Sequence, residues 1–210
     1  SPNIGSSGLT ASITIYNTDV SFQECIFNQN KSEDFLNLVH SKYELSDSYF
    51  KSVQSDAFDS DYSNGTIINS IFTDIGNDAM DFSGSISELS EISIYRVGDK
   101  ALSAGEMSKI SGKHIDIINA EIGITSKDLS NVYLRDVQIK DTRLGFAVFQ
   151  KKEEYGGGKA KITGLEMTNV DFIHLVDLNS TLTLNGKDVI NKRSKVGDLL
   201  YGANFGKNSK

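Results

Sequence analysis

Aspartates recur in this sequence at a fixed interval, and carboxylates held at a set separation can move protons or grip a cation. Asp56-Ala57-Phe58-Asp59 is followed 22 residues later by Asp78-Ala79-Met80-Asp81. The next step of 22 reaches Lys100-Ala101-Leu102-Ser103, and the one after it Ile122-Gly123-Ile124-Thr125. If residues one interval apart lie side by side, Asp56 and Asp78 are roughly 5 Å apart, the spacing of neighbouring strands. Carboxylates that close need a shared proton, a cation or a basic neighbour. Glycoside hydrolysis uses such pairs, about 5–5.5 Å apart when configuration is retained and ~6.5–9.5 Å when it is inverted. Asp56 with Asp78 fits the first separation, and Asp56 with Asp99, two repeats on, the second. Ca²⁺ is a different answer, since it takes about six to eight oxygens. Asp59, Asp61 and Asp81, beside Asp56 and Asp78, make an oxygen-rich patch of that kind. A third reading leaves these residues as turn formers and solvated rungs on an acidic surface.

The interval itself defines the scaffold. A period of about twenty residues, repeated several times, marks a stacked solenoid. The unit is rich in Ile, Ser, Thr, Asn and Gly and lacks helical apolar spacing, so each unit is one coil of a right-handed parallel β-helix, an all-β fold of roughly 22-residue coils. Seven to eight coils are expected. Residues one coil apart then form columns. One holds Asp34, Asp56, Asp78 and Lys100. A second holds Asn37, Asp59, Asp81, Ser103 and Thr125, and a third Asp61, Ser83, Gly105 and Lys127. All three are expected to face outward, with function on or beside them. Phe58, Met80, Leu102, Ile124 and Phe146 form an inward column at the same step. Ile67, Ile71, Ile75, Leu89, Ile92, Ile94, Ile117, Val132, Leu134, Val137 and Ile139 should supply the rest of the core, with one-residue slips near Ile94 and Ile117 absorbed by bulges.

Along the chain, residues 1–11 read as a small, polar lead-in, residues 12–190 as the β-helix and residues 191–210 as a polar tail that caps the C-terminal end or frays. Coils are expected to end at Ser41, Ser63, Ser85, Ser108 and Ser130. The register breaks over Glu153–Lys159, EEYGGGK, which should leave the coil as a loop and stand as a cleft wall. The lead-in is short for a cap, and an exposed strand edge recruits other chains. Upstream sequence or another subunit is therefore expected at that end. The net charge of −7 argues against a nucleic-acid partner, and no run of ~18 apolar residues offers a membrane span. The single cysteine, Cys25, rules out an internal disulfide and reads as a small strand residue. His40, His114 and His174 share no column with the acids and are assigned to structure or surface. Tyr62 and Tyr155 flank the acidic columns and the loop, and could stack on sugar rings.

Ser55-Asp56-Ala57-Phe58-Asp59, Gly76-Asn77-Asp78 and Gly98-Asp99-Lys100, followed by Thr125-Ser126-Lys127, resemble the motif succession of polygalacturonase-type glycoside hydrolases, within the pectin-lyase-like β-helices. In that family Asn-Thr-Asp, Gly-Asp-Asp, Gly-His-Gly and Arg-Ile-Lys occupy successive coils. Asp56 and Asp78 fall on the last Asp of the first two motifs, Asp99 on the His and Lys127 on the final Lys. Gln54 and Ser55 replace Asn-Thr, Asn77 replaces the first paired acid, and Thr125 stands where the family has Arg. The resemblance spans about 75 residues, Gln54 to Asp128. It implies a polysaccharide partner, with Asp56, Asp78, Asp99 and Lys127 catalytic and Tyr62, Lys100 and Tyr155 holding substrate. With Ca²⁺ on Asp59, Asp61 and Asp81, and Lys127 or Lys100 as base, the patch also resembles Ca²⁺-dependent polysaccharide lyases of this fold. The expectation is thus a secreted or cell-surface module that binds or processes polysaccharide. The alternative is a non-catalytic interaction module of a larger surface or coat protein.

Overall fold

A computed structural model describes residues 11–202. They form a parallel β-solenoid in which every coil contributes a segment to each of three faces. On one face Lys42 pairs with Asn64, Asn64 with Ile86, Ile86 with Lys109, Lys109 with Asn131, Asn131 with Lys159 and Lys159 with Thr181. The long step from Asn131 to Lys159 contains the loop at 150–158, so Lys159, the last residue of the expected loop, already begins the next strand. A single antiparallel pairing, Thr181–Leu184 with Lys187–Asp188, closes the sheet order. Among the described residues no helix is long and apolar enough to cross a membrane.

The chain turns between faces by placing residues in the left-handed region. Asn17, His40, Tyr62, Gly84 and Glu106 do so at one corner. Asp47, Asn69, Glu91, His114 and Asp136 do so at the second, and Ser52, Asp74, Arg96, Asn119 and Asp141 at the third. Left-handed φ costs about 1–2 kcal/mol per non-glycine residue, least for Asn and Asp. The cost is offset because each turn keeps its inter-coil bond. The His40 N–H donates to the Asp61 carbonyl at 2.9 Å, and the Tyr62 N–H to the Ser83 carbonyl at 2.8 Å.

The interior follows the same step. Phe58, Met80, Leu102, Ile124 and Phe146 are paired in register and wholly buried. His174 continues that column, opposite Phe146, so it is a half-buried member of the core's last rung. Phe27, Phe50 and Phe72 stack with centroids 4.2 and 4.7 Å apart. The serines that end the coils form a buried ladder. Ser41 N–H donates to Ser63 Oγ (2.9 Å), Ser63 to Ser85 (3.0 Å), Ser85 to Ser108 (3.0 Å) and Ser108 to Ser130 (3.1 Å).

One packing expectation needs correction: Ile71 is 41% exposed and points away from the core. The one-residue slip expected near Ile94 and Ile117 falls just past them, and those two residues pair directly. The extra residue enters at the Glu106–Met107 corner, where both residues are left-handed, and is given back between Val97 and Lys100. The lead-in, apart from residue 11, and the end of the tail lie outside the described residues. The described part of the tail folds into a short helix, Val196–Leu200, against the side of the solenoid.

Candidate functional site

The three polar columns share one face, in the register expected. Asp34 pairs with Asp56. Asn37, Asp59, Asp81, Ser103 and Thr125 pair in turn, as do Asp61, Ser83 and Gly105. They are not solvated rungs, however. Asp34, Asp78, Asp99, Lys100 and Lys127 are buried, and the face is a network of ions and hydrogen bonds.

Two of the acids brace the backbone. Asp56 Oδ1 accepts the Asp78 N–H at 2.9 Å and Asn77 Nδ2 at 2.5 Å. Asp78 Oδ1 accepts the Lys100 N–H at 3.0 Å. Each carboxylate thus fixes the start of the strand on the following coil. Lys100 Nζ lies 3.4 Å from Asp78 Oδ1 and 2.6 Å from Asp99 Oδ2, so one ammonium clamps two carboxylates. Burial works against that charge, but Asp78 and Asp99 outweigh it and hold Lys100 protonated. Burial pushes Asp78 up, with Lys100 pulling it back. Lys127 Nζ donates to Ser103 Oγ at 2.8 Å and lies 3.6 Å from Asp81 Oδ1. Burial opposes its charge too, and Asp81 keeps it protonated. Neither lysine is therefore in the form that accepts a proton, which leaves both with electrostatic roles.

The acids nearer the N-terminal coils differ. Asn37 Nδ2 bridges Asp59 Oδ2 (3.1 Å) and Asp61 Oδ2 (3.3 Å). Among the described residues no ion pair involves Asp34, Asp59 or Asp61. Burial first, then the charges of Asp61, Asp81, Asp34 and Asp56, push Asp59 up to about 9. Burial and Asp56 raise Asp34 to about 6, and burial raises Asp61. For Asp81 burial acts upward as well, but Lys127, the Ser103 hydroxyl and Lys100 hold it below the usual carboxylate range. Asp59 and Asp81 are register partners, so a carboxyl pushed up by burial and like charges sits beside one pulled down by a lysine. Among the described residues, no three His, Cys, Asp or Glu side chains are grouped as a metal ion requires. Asn37 Oδ1, Asp81 Oδ1, Asp99 Oδ1 and Thr125 Oγ1 are buried acceptors on this face without a hydrogen-bond partner in the protein.

The neighbouring corner supplies the wall. Tyr62 is 52% exposed and stacks on His40, with centroids 5.3 Å apart and planes at 20°. Its ring passes over Gly84, and its hydroxyl donates to Glu106 Oε2 at 3.2 Å. Lys152, from the loop, pairs with Glu106. The loop's Lys151 and Lys152 N–H groups both donate to Asp128 Oδ1, at 2.7 and 2.9 Å. Tyr155 lies in this loop, where its carbonyl accepts Gln150 Nε2 at 2.5 Å. The structure thus brings Tyr62, the loop and the acids to one region. His40, assigned to structure or surface from sequence, belongs there too, and the signal was present because His40 and Tyr62 are 22 apart. Tyr201 also reaches the face, its ring 5.8 Å from Lys100 Nζ.

No protein-family model and no curated protein matches the sequence. Among solved structures, the chain is similar to the catalytic domain of a GH87 alpha-1,3-glucanase variant in complex with tetrasaccharides, at 12% identity and a TM-score of 0.42, over 82% of this chain and 48% of that one. A second GH87 alpha-1,3-glucanase catalytic domain, in complex with nigerose, aligns at 11% identity and a TM-score of 0.34, over 78% of this chain and 48% of the other. The chain thus spans about half the length of these catalytic domains, and HetL, a pentapeptide-repeat protein from the cyanobacterium Nostoc, aligns at 8% identity and a TM-score of 0.21 over 78% of this chain and 87% of its own.

Proposed function

We propose that this β-solenoid is an extracellular module that binds and hydrolyses a neutral polysaccharide on the face carrying Asp59 and Asp81. The observation that carries this reading is the unlike setting of these two register partners: Lys127 lies 3.6 Å from Asp81, whereas Asp59 is bonded to Asn37 and has no ion pair among the described residues. Environments that drive paired carboxyls apart assign one as acid and the other as base or nucleophile. Adjacent coils set the pair roughly 4.8 Å apart at the backbone, a step from which the two carboxyl groups can take up the about 5–5.5 Å separation of retaining glycosidases. In this scheme the Asp59 carboxyl gives its proton to the leaving oxygen while Asp81 attacks the anomeric carbon. Water then releases the sugar as Asp59 takes the proton back. Lys127 steadies the charge on Asp81. A sugar chain brings many hydroxyl donors, which suits the half-buried carboxyls of Asp59 and Asp61 on this face. The surplus of carboxylates disfavours acidic glycans by repulsion, and the exposed Tyr62 ring offers a stacking surface.

A second reading rests on Asp56 and Asp78. Their carboxylates are engaged with backbone N–H groups of the next coil, as in a face built only for stability and contact with other proteins. One experiment separates the two: release of reducing ends from linear glucans, xylans and mannans by the intact chain, by Asp59→Asn and by Asp81→Asn. The hydrolase reading expects turnover by the intact chain and a loss of at least about a hundredfold in each variant. Turnover unaffected by both substitutions would take catalysis away from this pair, and no turnover on any glycan leaves the interaction module.

A further inference from the structure

We infer that the C-terminal segment closes one end of this face, so that the face receives the end of a glycan chain and not its middle. This rests on the carbohydrate reading above. The outward columns change character together as they run toward the C-terminal coils. Lys100 is followed by Ile122 and Leu144, Thr125 by Ala147 and Leu175, and Lys127 by Phe149. These apolar side chains do not join the interior core. They form a separate cluster with Val196 and Leu200 of the C-terminal helix. A helix of five residues has no stability of its own in water, so this cluster is what holds it.

The path of the chain fixes where it ends. The Arg193 N–H donates to the Val176 carbonyl at 2.9 Å, and the Val196 N–H reaches Asp177 Oδ1 at 3.5 Å. The other oxygen of Asp177 accepts the Gln150 N–H at 3.2 Å, which ties the tail to the loop. The helix then delivers Tyr201 to the boundary between the polar and apolar parts of the face. Its ring lies 6.2 Å from the Phe149 ring, 4.9 Å from Lys151 Nζ and 5.8 Å from Lys100 Nζ. Lys100 is two coils beyond the Asp56–Asp61 strand. A glycan laid along the axis over Asp59 and Asp81 therefore meets Tyr201 within a few coil heights in that direction. Toward the N-terminal coils the same columns continue past Asn37 to Thr14, with no such barrier among the described residues. Tyr201 is thus the residue that sets how many sugar units lie beyond the acids.

The test uses linear neutral gluco-, xylo- and manno-hexasaccharides, each plain, capped with a bulky aromatic group at the reducing end, or so capped at the other end. Binding to the intact chain is measured by calorimetry and repeated with Tyr201→Ala, whose melting temperature serves as the folding control. The expected result is that one cap weakens binding at least about tenfold while the other changes it less than about twofold. Tyr201→Ala should restore at least about fivefold of the loss. Equal tolerance of both caps, or equal exclusion of both, overturns the inference and leaves the carbohydrate reading standing. If no plain hexasaccharide binds, the carbohydrate reading fails and takes this inference with it. The cap asymmetry of the intact chain decides the matter even if the variant does not fold.

Discussion

Lys100 Nζ lies 2.6 Å from Asp99 Oδ2, and the two side chains are only 7% and 11% exposed. The same ammonium is 3.4 Å from Asp78, so a single cation neutralises two buried carboxylates on one face of the solenoid. A buried pair adds little over an apolar replacement, but removing one partner strands the other without compensation.

Lys100→Met should therefore destabilise the chain by about 3–5 kcal/mol. The triple change Lys100→Met, Asp78→Asn, Asp99→Asn should recover most of that loss, because no charge is left unpaired. Urea unfolding of the three proteins checks this. A Lys100→Met cost below about 1 kcal/mol would show that Asp78 and Asp99 are solvated and that the clamp is incidental.

Asp59 carries the pH dependence. In the unfolded chain it ionises near the ordinary aspartate value of 3.8, whereas burial and four neighbouring carboxylates raise it to about 9 in the fold. Between those limits the folded state binds the extra proton, so this group's contribution to stability falls as pH rises from about 4 to about 9. Asp34, raised to about 6, adds a smaller term of the same sign over a narrower window. Asp59→Asn removes the titration while keeping the shape. It should raise the melting temperature at pH 8 and leave it nearly unchanged at pH 4. For a chain of this size about 1 kcal/mol corresponds to roughly 2–4 °C. An equal shift at both pH values would mean that Asp59 is ionised throughout.

The periodic part of the structure was legible because it repeats. Phe58, Met80, Leu102, Ile124 and Phe146 hold a strict step of 22, and their burial follows from alternation along each strand. The serines that end successive coils carry the same step, except for 23 between Ser85 and Ser108, and form the hydrogen-bonded ladder. What the sequence could not show was which outward columns are covered. Burial of Lys100 and Lys127 depends on contacts with Asp99, Ser103 and Tyr201, and Tyr201 arrives from a tail with no repeat. The unlike setting of Asp59 and Asp81 was hidden for the same reason. The two occupy equivalent places in their coils, and the approach of Lys127, from two coils on, with Ser103 and Lys100, distinguishes them. The apolar type of Ile71 points to the core, but its place just after the corner at Asn69 turns it outward. His40 lies in a corner column with Tyr62 and Glu106, away from the strand aspartates, and only the stacked rings reveal its place.

The Tyr62 corner makes the last test. Gly84 has φ +62°, and a Cβ added there would sit 2.6 Å from Tyr62 Cδ1. Two costs therefore fall on Gly84→Ala: the left-handed backbone, about 1–2 kcal/mol, and displacement of the Tyr62 ring from its course over the corner toward Glu106. Tyr62→Ala alone changes an exposed position and should cost no more than about 0.5 kcal/mol. If the ring occupies the space above Gly84, the two changes are coupled. Gly84→Ala should then cost less in the Tyr62→Ala background, by about 0.5 kcal/mol or more, with only the backbone term remaining. Urea unfolding of the four proteins in the cycle measures that difference. Strict additivity would place the Tyr62 ring elsewhere in solution and free it from Glu106. It would also remove the wall against which a sugar ring is proposed to stack.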